Sequence, residues 1–114
     1  MTRLAASSVA RAHGAFNVVS GVWPLLGIRS FEAVYGPKTD RWLVYTVAGL
    51  LTTVGVAQIE GRGGEQAHLL GVGTATTLLA IDLVYVPRGR IRWTYLLDAA
   101  CEVGWLAAWV SASE

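Results

Sequence analysis

Four long apolar stretches, at about 5–28, 42–59, 67–86 and 93–112, alternate along the chain with the polar segments 29–41, 60–66 and 87–92. Each stretch is close to the ~20 residues of helix that a bilayer crossing needs. A bilayer core offers no water to free backbone groups, so four such stretches predict four helices. The pattern predicts an all-α chain of one domain, an antiparallel four-helix transmembrane bundle.

Polar residues inside these stretches fall in register. In the fourth, WTYLLDAACEVGWLAAWVS (93–111), Asp98 and Glu102 stand four apart and share a helical face with Tyr95, Trp105 and Trp109. In the first, His13, Asn17, Ser20 and Pro24 form a second stripe. Pro24 has no N–H for the Ser20 carbonyl, which predicts a kink. An ionisable group at membrane depth costs at least ~2.5–3.5 kcal/mol, so both stripes are expected to face inward.

Counting 1.5 Å per residue from the outer ends places Glu102 and His13 at depths that differ by only about 3 Å. With the first and last helices adjacent, a His13–Glu102 contact with Asn17 beside it is expected. His13, Asn17 and Glu102 are thus the candidate buried polar centre. Two readings follow from it: a polar lock that fixes helix pairing, and a proton relay or ligand-binding group. Asp82 and Asp98 lie about one turn inside the opposite boundary, beside Arg88, Arg90 and Arg92. Those five are expected to form ion pairs pinning the third hairpin, with a substrate mouth as the alternative.

Smaller expectations attach to the other segments. Thr46, Gly49 and Thr53 share a face that has the composition of a helix–helix seam, and Gly71 and Ala75 share another. Ser30 to Tyr35 suits a short interfacial helix, closed by a turn at Gly36-Pro37. Thr39 or Asp40 is the expected N-cap of the next helix.

Composition narrows the class. Of the 114 residues 54% are hydrophobic and 15% charged, a balance that belongs to membrane proteins rather than soluble globules. A net charge of +1, with no basic stripe among aromatics, argues against nucleic acid. The expected partners are the lipid bilayer and a second copy of the chain.

Arg29, Lys38, Arg41, Arg88, Arg90 and Arg92 would lie on one side of a four-span bundle, and Arg3, Arg11 and Arg62 on the other. That bias puts the six-cation side in the cytoplasm and both termini outside. Trp23, Trp42, Tyr45, Tyr85, Trp93 and Tyr95 fall near the same cytoplasmic boundary, as an aromatic belt should. No A-x-A site follows the first apolar run, so it is read as a permanent span rather than a cleaved signal.

Candidate chemistry is sparse. Cys101 has no partner for a disulfide and is expected to be a small core residue. No G-x-S-x-G, phosphate loop or metal-ligand pair appears, so no enzyme activity, cofactor or metal is predicted. His13 and His68 differ by roughly 10 Å in estimated depth, which disfavours a shared haem.

The segments Ala12-His13-Gly14-Ala15-Phe16-Asn17, Trp23-Pro24-Leu25 and RSFEAVYGPKTDRWLVYTVAGLL (29–51) resemble a family of small four-helix bacterial membrane proteins of uncharacterised role. The resemblance covers about the first half of the chain. It implies a multi-pass protein of the bacterial inner membrane and no particular activity. Small multidrug-resistance exporters fit less well, because their proton-coupling glutamate sits in the first helix, where this chain has His13 and Asn17.

Overall fold

The computed structural model describes residues 4–61 and 64–113. Arg3 and Arg62, two of the three outer-side cations counted above, lie outside them. The described chain is all-helical apart from one pair of two-residue strands: β1 (Leu4–Ala5), α1 (Ala6–Leu26), α2 (Ile28–Tyr35), α3 (Arg41–Gly61), α4 (Glu65–Tyr85), α5 (Tyr95–Ser111) and β2 (Ala112–Ser113). β1 and β2 pair in parallel, Leu4 against Ala112 and Ala5 against Ser113. The two ends of the helical body therefore sit side by side, as an even number of long helices requires.

Five helices stand where four were expected, because the segment after the first apolar stretch forms a helix of its own. Pro24 is buried inside α1, and the helix ends two residues later at Leu26. Gly27 leaves helical geometry at φ −147° and ψ 65°, with its N–H on the Trp23 carbonyl at 2.8 Å. Ser30 locks this joint, since its hydroxyl donates to the Gly27 carbonyl at 2.9 Å and accepts the Trp23 indole N–H at 2.8 Å. The extra helix, α2, occupies the segment expected to hold an interfacial helix. At the next junction α3 begins at Arg41, and the Asp40 carbonyl accepts the Leu43 and Val44 N–H groups.

The last four carbonyls of a helix lack intrahelical partners, and in α2 every one is met. Gly36 N–H serves Glu32 at 2.7 Å and the Lys38 ammonium serves Tyr35 at 3.2 Å. Arg92 serves Ala33 at 3.2 Å and the Thr94 hydroxyl serves Val34 at 2.6 Å. The last two donors come from the approach to α5. Gly36, at φ 97°, turns the chain out of the helix.

α1 packs along α3, and α4 along α5; contacts between the two pairs are thinner. The α1–α3 seam is built on small residues. A Cβ on Gly14 would stand 2.6 Å from the Gly55 carbonyl oxygen, one on Gly55 2.5 Å from that of Gly14, and one on Gly21 2.6 Å from that of Ala48. The two backbones touch there.

The Thr46, Gly49 and Thr53 face, expected to be a seam, points away from the other helices. Thr46 and Thr53 are exposed, and nothing lies within 4 Å of a Cβ on Gly49. Each hydroxyl bonds back to its own helix, Thr46 to the Trp42 carbonyl at 2.8 Å and Thr53 to that of Gly49 at 3.0 Å. A threonine satisfied in this way needs no neighbour. The seam lies on the adjoining face, through Ala48, Thr52 and Gly55. Gly71 and Ala75 do line a buried face, where Gly71 leaves room for the Trp109 ring.

Burial is inverted relative to a soluble domain. The largest fully buried side chains are Trp109, His13, Gln58, Glu102 and Asn17, four of them polar. Outside, Leu50 is 63% exposed, Leu69 71% and Val110 82%. By length and composition α3 and α4 can each cross a membrane, with a mean hydropathy of 1.5. α5 has 17 residues and two carboxyls, and α1 is the more polar helix.

Candidate functional site

His13 is fully buried on α1, and its ring lies against Trp105 of α5 with centroids 4.7 Å apart and planes 13° from parallel. Its Nδ1 receives the Trp109 indole N–H at 3.0 Å and lies 3.0 Å from the Gln58 amide nitrogen. Indole N–H is a donor only, so Nδ1 must be the accepting nitrogen and the ring proton sits on Nε2. Asn17, one turn further along α1, donates from Nδ2 to the Gln58 Oε1 at 2.6 Å. Gln58 of α3 thus joins His13 and Asn17 of the α1 stripe, next to the close approach at Gly14 and Gly55.

The expected partner of His13 was Glu102. Glu102 is fully buried on α5, one turn from Trp105, but neither of its carboxyl oxygens has a hydrogen-bond partner. The one ion pair among the described residues is Arg41–Glu32 at 2.6 Å, so no His13–Glu102 pair forms. The His13 lone pair is taken by Trp109 and Gln58, and the face of the ring by Trp105. The sequence reading placed His13, Asn17 and Glu102 in the interior together and erred in the bonding.

Gln58 escapes a reading that takes 42–59 simply as an apolar stretch. The signal was present: one amide in an otherwise apolar span needs a partner as an acid does. It lies three residues after Gly55 and ten after Ala48, on the face turned to α1.

The carboxyls form a second group. Asp98 stands close to both Asp82 on α4 and Glu102 on α5. Asp82 is 2% exposed, and its Oδ2 is unpartnered. No ion pair joins Asp82 or Asp98 to Arg88, Arg90 or Arg92, contrary to expectation. Arg92 is spent on the Ala33 carbonyl at the end of α2, and Arg88 and Arg90 are exposed in the turn after α4. Among the described residues no three His, Cys, Asp or Glu side chains group as a metal site would.

Beside this cluster a groove of about 570 Å³ opens between α1, α2, α3 and α5, with Leu78 of α4 also on its wall. Its walls are apolar and aromatic, with Asp98 and Lys38 as the charged groups on them. Cys101, expected in the core, is exposed and lines the groove one turn from Leu97. Phe31, Trp23, Tyr35 and Tyr95 form a continuous aromatic run, with centroid separations of 5.4, 5.9 and 4.5 Å between successive rings. The Lys38 ammonium stands 4.7 Å from the Tyr95 ring centre. Burial, with Arg92 nearby, pulls its pKa below the usual lysine range.

Comparison with known proteins returns no match to this chain, whether to a protein-family model, a curated protein or a solved structure. What the site can do therefore rests on its own chemistry.

Proposed function

We propose that this chain is a small multi-pass integral membrane protein, without enzymatic activity, that binds an apolar small molecule in its lateral groove. α1, α3, α4 and α5 would cross the bilayer, and α2 would lie along the cytoplasmic boundary. The resemblance of the first half of the chain implies residence in a bacterial inner membrane, and the cation bias favours both termini outside the cytoplasm. The observation that carries the reading is the inverted burial: amides, an imidazole and a carboxyl inside, Leu and Val outside. In water such an outer surface is a liability, whereas in lipid it costs nothing. The His13–Gln58–Asn17 chain then serves as the lock between α1 and α3, where interhelical hydrogen bonds contribute about 0.6–2 kcal/mol each.

The test is equilibrium dialysis of the purified protein against radiolabelled triphenylphosphine oxide, a neutral apolar probe. Saturable binding that is lost in Val47→Trp, which fills the groove wall, supports the reading. Uptake that never saturates and is unchanged in Val47→Trp sets it aside.

A second reading, a proton-coupled transporter, is favoured by one observation: the buried Glu102 carboxyl has no partner, and neither does His13 Nε2. Groups free of structural bonds are available to exchange a proton. In vesicles, Glu102→Gln would then abolish proton-linked flux while leaving the fold intact.

A further inference from the structure

The groove proposed as an apolar binding site carries two features that favour a positively charged ligand. One is Asp98, a carboxyl on the wall with no basic side chain paired to it. Behind it stand two nearly inaccessible carboxyls, Asp82 and Glu102, whose unpartnered oxygens have no other donor to meet. A buried carboxyl is stable either protonated or with a counter-charge or donor beside it, and an entering cation favours the ionised form. The other feature is the aromatic run of Phe31, Trp23, Tyr35 and Tyr95 along the same groove. Ring faces attract cations that have shed their water, and bulky organic cations shed it most easily.

Lys38 does not supply the missing charge. Its ammonium is held by the Tyr35 carbonyl and the face of Tyr95, and no ion pair links it to Asp98. We infer that the groove is a site for a lipophilic organic monocation, its apolar body on the aromatic wall and its charge at Asp98. The inference rests on the groove-binding reading above and adds the ligand's charge to it.

Tetraphenylphosphonium and tetraphenylborate are near-isosteres of opposite charge, and triphenylphosphine oxide is their neutral reference. Binding of all three to the purified full chain is measured by equilibrium dialysis. The phosphonium should bind at least about tenfold tighter than the borate, because the wall charge and the ring faces act in the same direction. Asp98→Asn should weaken the phosphonium by about tenfold and shift the neutral probe by less than about twofold.

If Asp98→Asn fails to fold, Lys38→Gln carries the test. Removing that positive charge from the wall should tighten phosphonium binding by about threefold. Equal binding of the two ions, tighter binding of the borate, or insensitivity of the phosphonium to these variants overturns the inference; the groove itself stands as long as the neutral probe still binds. Failure of all three probes removes the groove reading, and this inference with it.

Discussion

Helices α1 and α3 meet backbone to backbone, whereas α4 and α5 meet through side chains. On the first seam Gly14 and Gly55 bring carbonyl oxygens to within what would be a methyl's reach of the opposite helix. On the second the close approach at Gly71 makes room for the indole of Trp109. Polar groups follow the same division. Gln58 bonds with Asn17 across the first seam and lies against His13, while the carboxyls of the second half find no donor. One half is bonded and close, and the other keeps unpaired acid beside a groove. The contrast sets a closed α1–α3 seam against the Asp98 face of α5, which lines the groove.

The largest effect should come from widening the first seam. Gly55→Leu forces a side chain against the Gly14 carbonyl and Val18, which no rotamer relieves, since even the Cβ clashes. Overpacking of this kind costs about 1–3 kcal/mol and here also separates the bonded polar pairs. Gly104→Leu on α5 is the matched control, because nothing lies within 4 Å of its Cβ. Thermal unfolding in detergent should show a large loss for the first variant and almost none for the second. Equal losses would mean that the backbone contact is not what holds α1 to α3.

A smaller loss should follow from Gln58→Leu. Asn17 would lose its acceptor and His13 one of the two groups at its Nδ1, and a buried unsatisfied group costs about 1–3 kcal/mol. Asn17→Leu combined with Gln58→Leu should recover part of that loss, because both ends of the bond are then apolar. Simple addition of the two single effects would show that the pair is not coupled.

The sequence carried the periodic parts of this architecture. Residues four apart share a face, so Asp98 with Glu102 and His13 with Asn17 were placed on their stripes correctly. It carried partner choice poorly. Glycine has no side chain to advertise a seam, and Thr46, Gly49 and Thr53 looked more like one than Ala48, Thr52 and Gly55 did. Opposite charges nearby in sequence suggested Asp82 and Asp98 pairing with Arg88, Arg90 and Arg92. The competing demand came from the open carbonyls at the end of α2, which take Arg92 and are invisible in a pattern of side chains.

The smallest expected effect concerns α2, which ties the two halves together at one end. It reaches α5 through Arg92 and Thr94, and α3 through the Glu32–Arg41 pair at 2.6 Å. Hydrogen bonds from the Arg41 side chain and the Lys38 backbone N–H hold the Glu32 carboxyl below the usual carboxylate range. A carboxyl with a lowered pKa contributes its stability above the ordinary glutamate range and loses it as pH falls through the lowered value. The wild type should therefore exceed Glu32→Gln slightly in melting temperature at neutral pH, with the gap closing in acid. Salt should narrow it as well, since the Arg41 side chain is 49% exposed and its charge is screened. Hydrogen exchange should localise the change to the amides of α2 and the start of α3, leaving the seam at Gly14 and Gly55 protected. If protection falls at that seam instead, α2 is part of the α1–α3 frame rather than a strap laid across it.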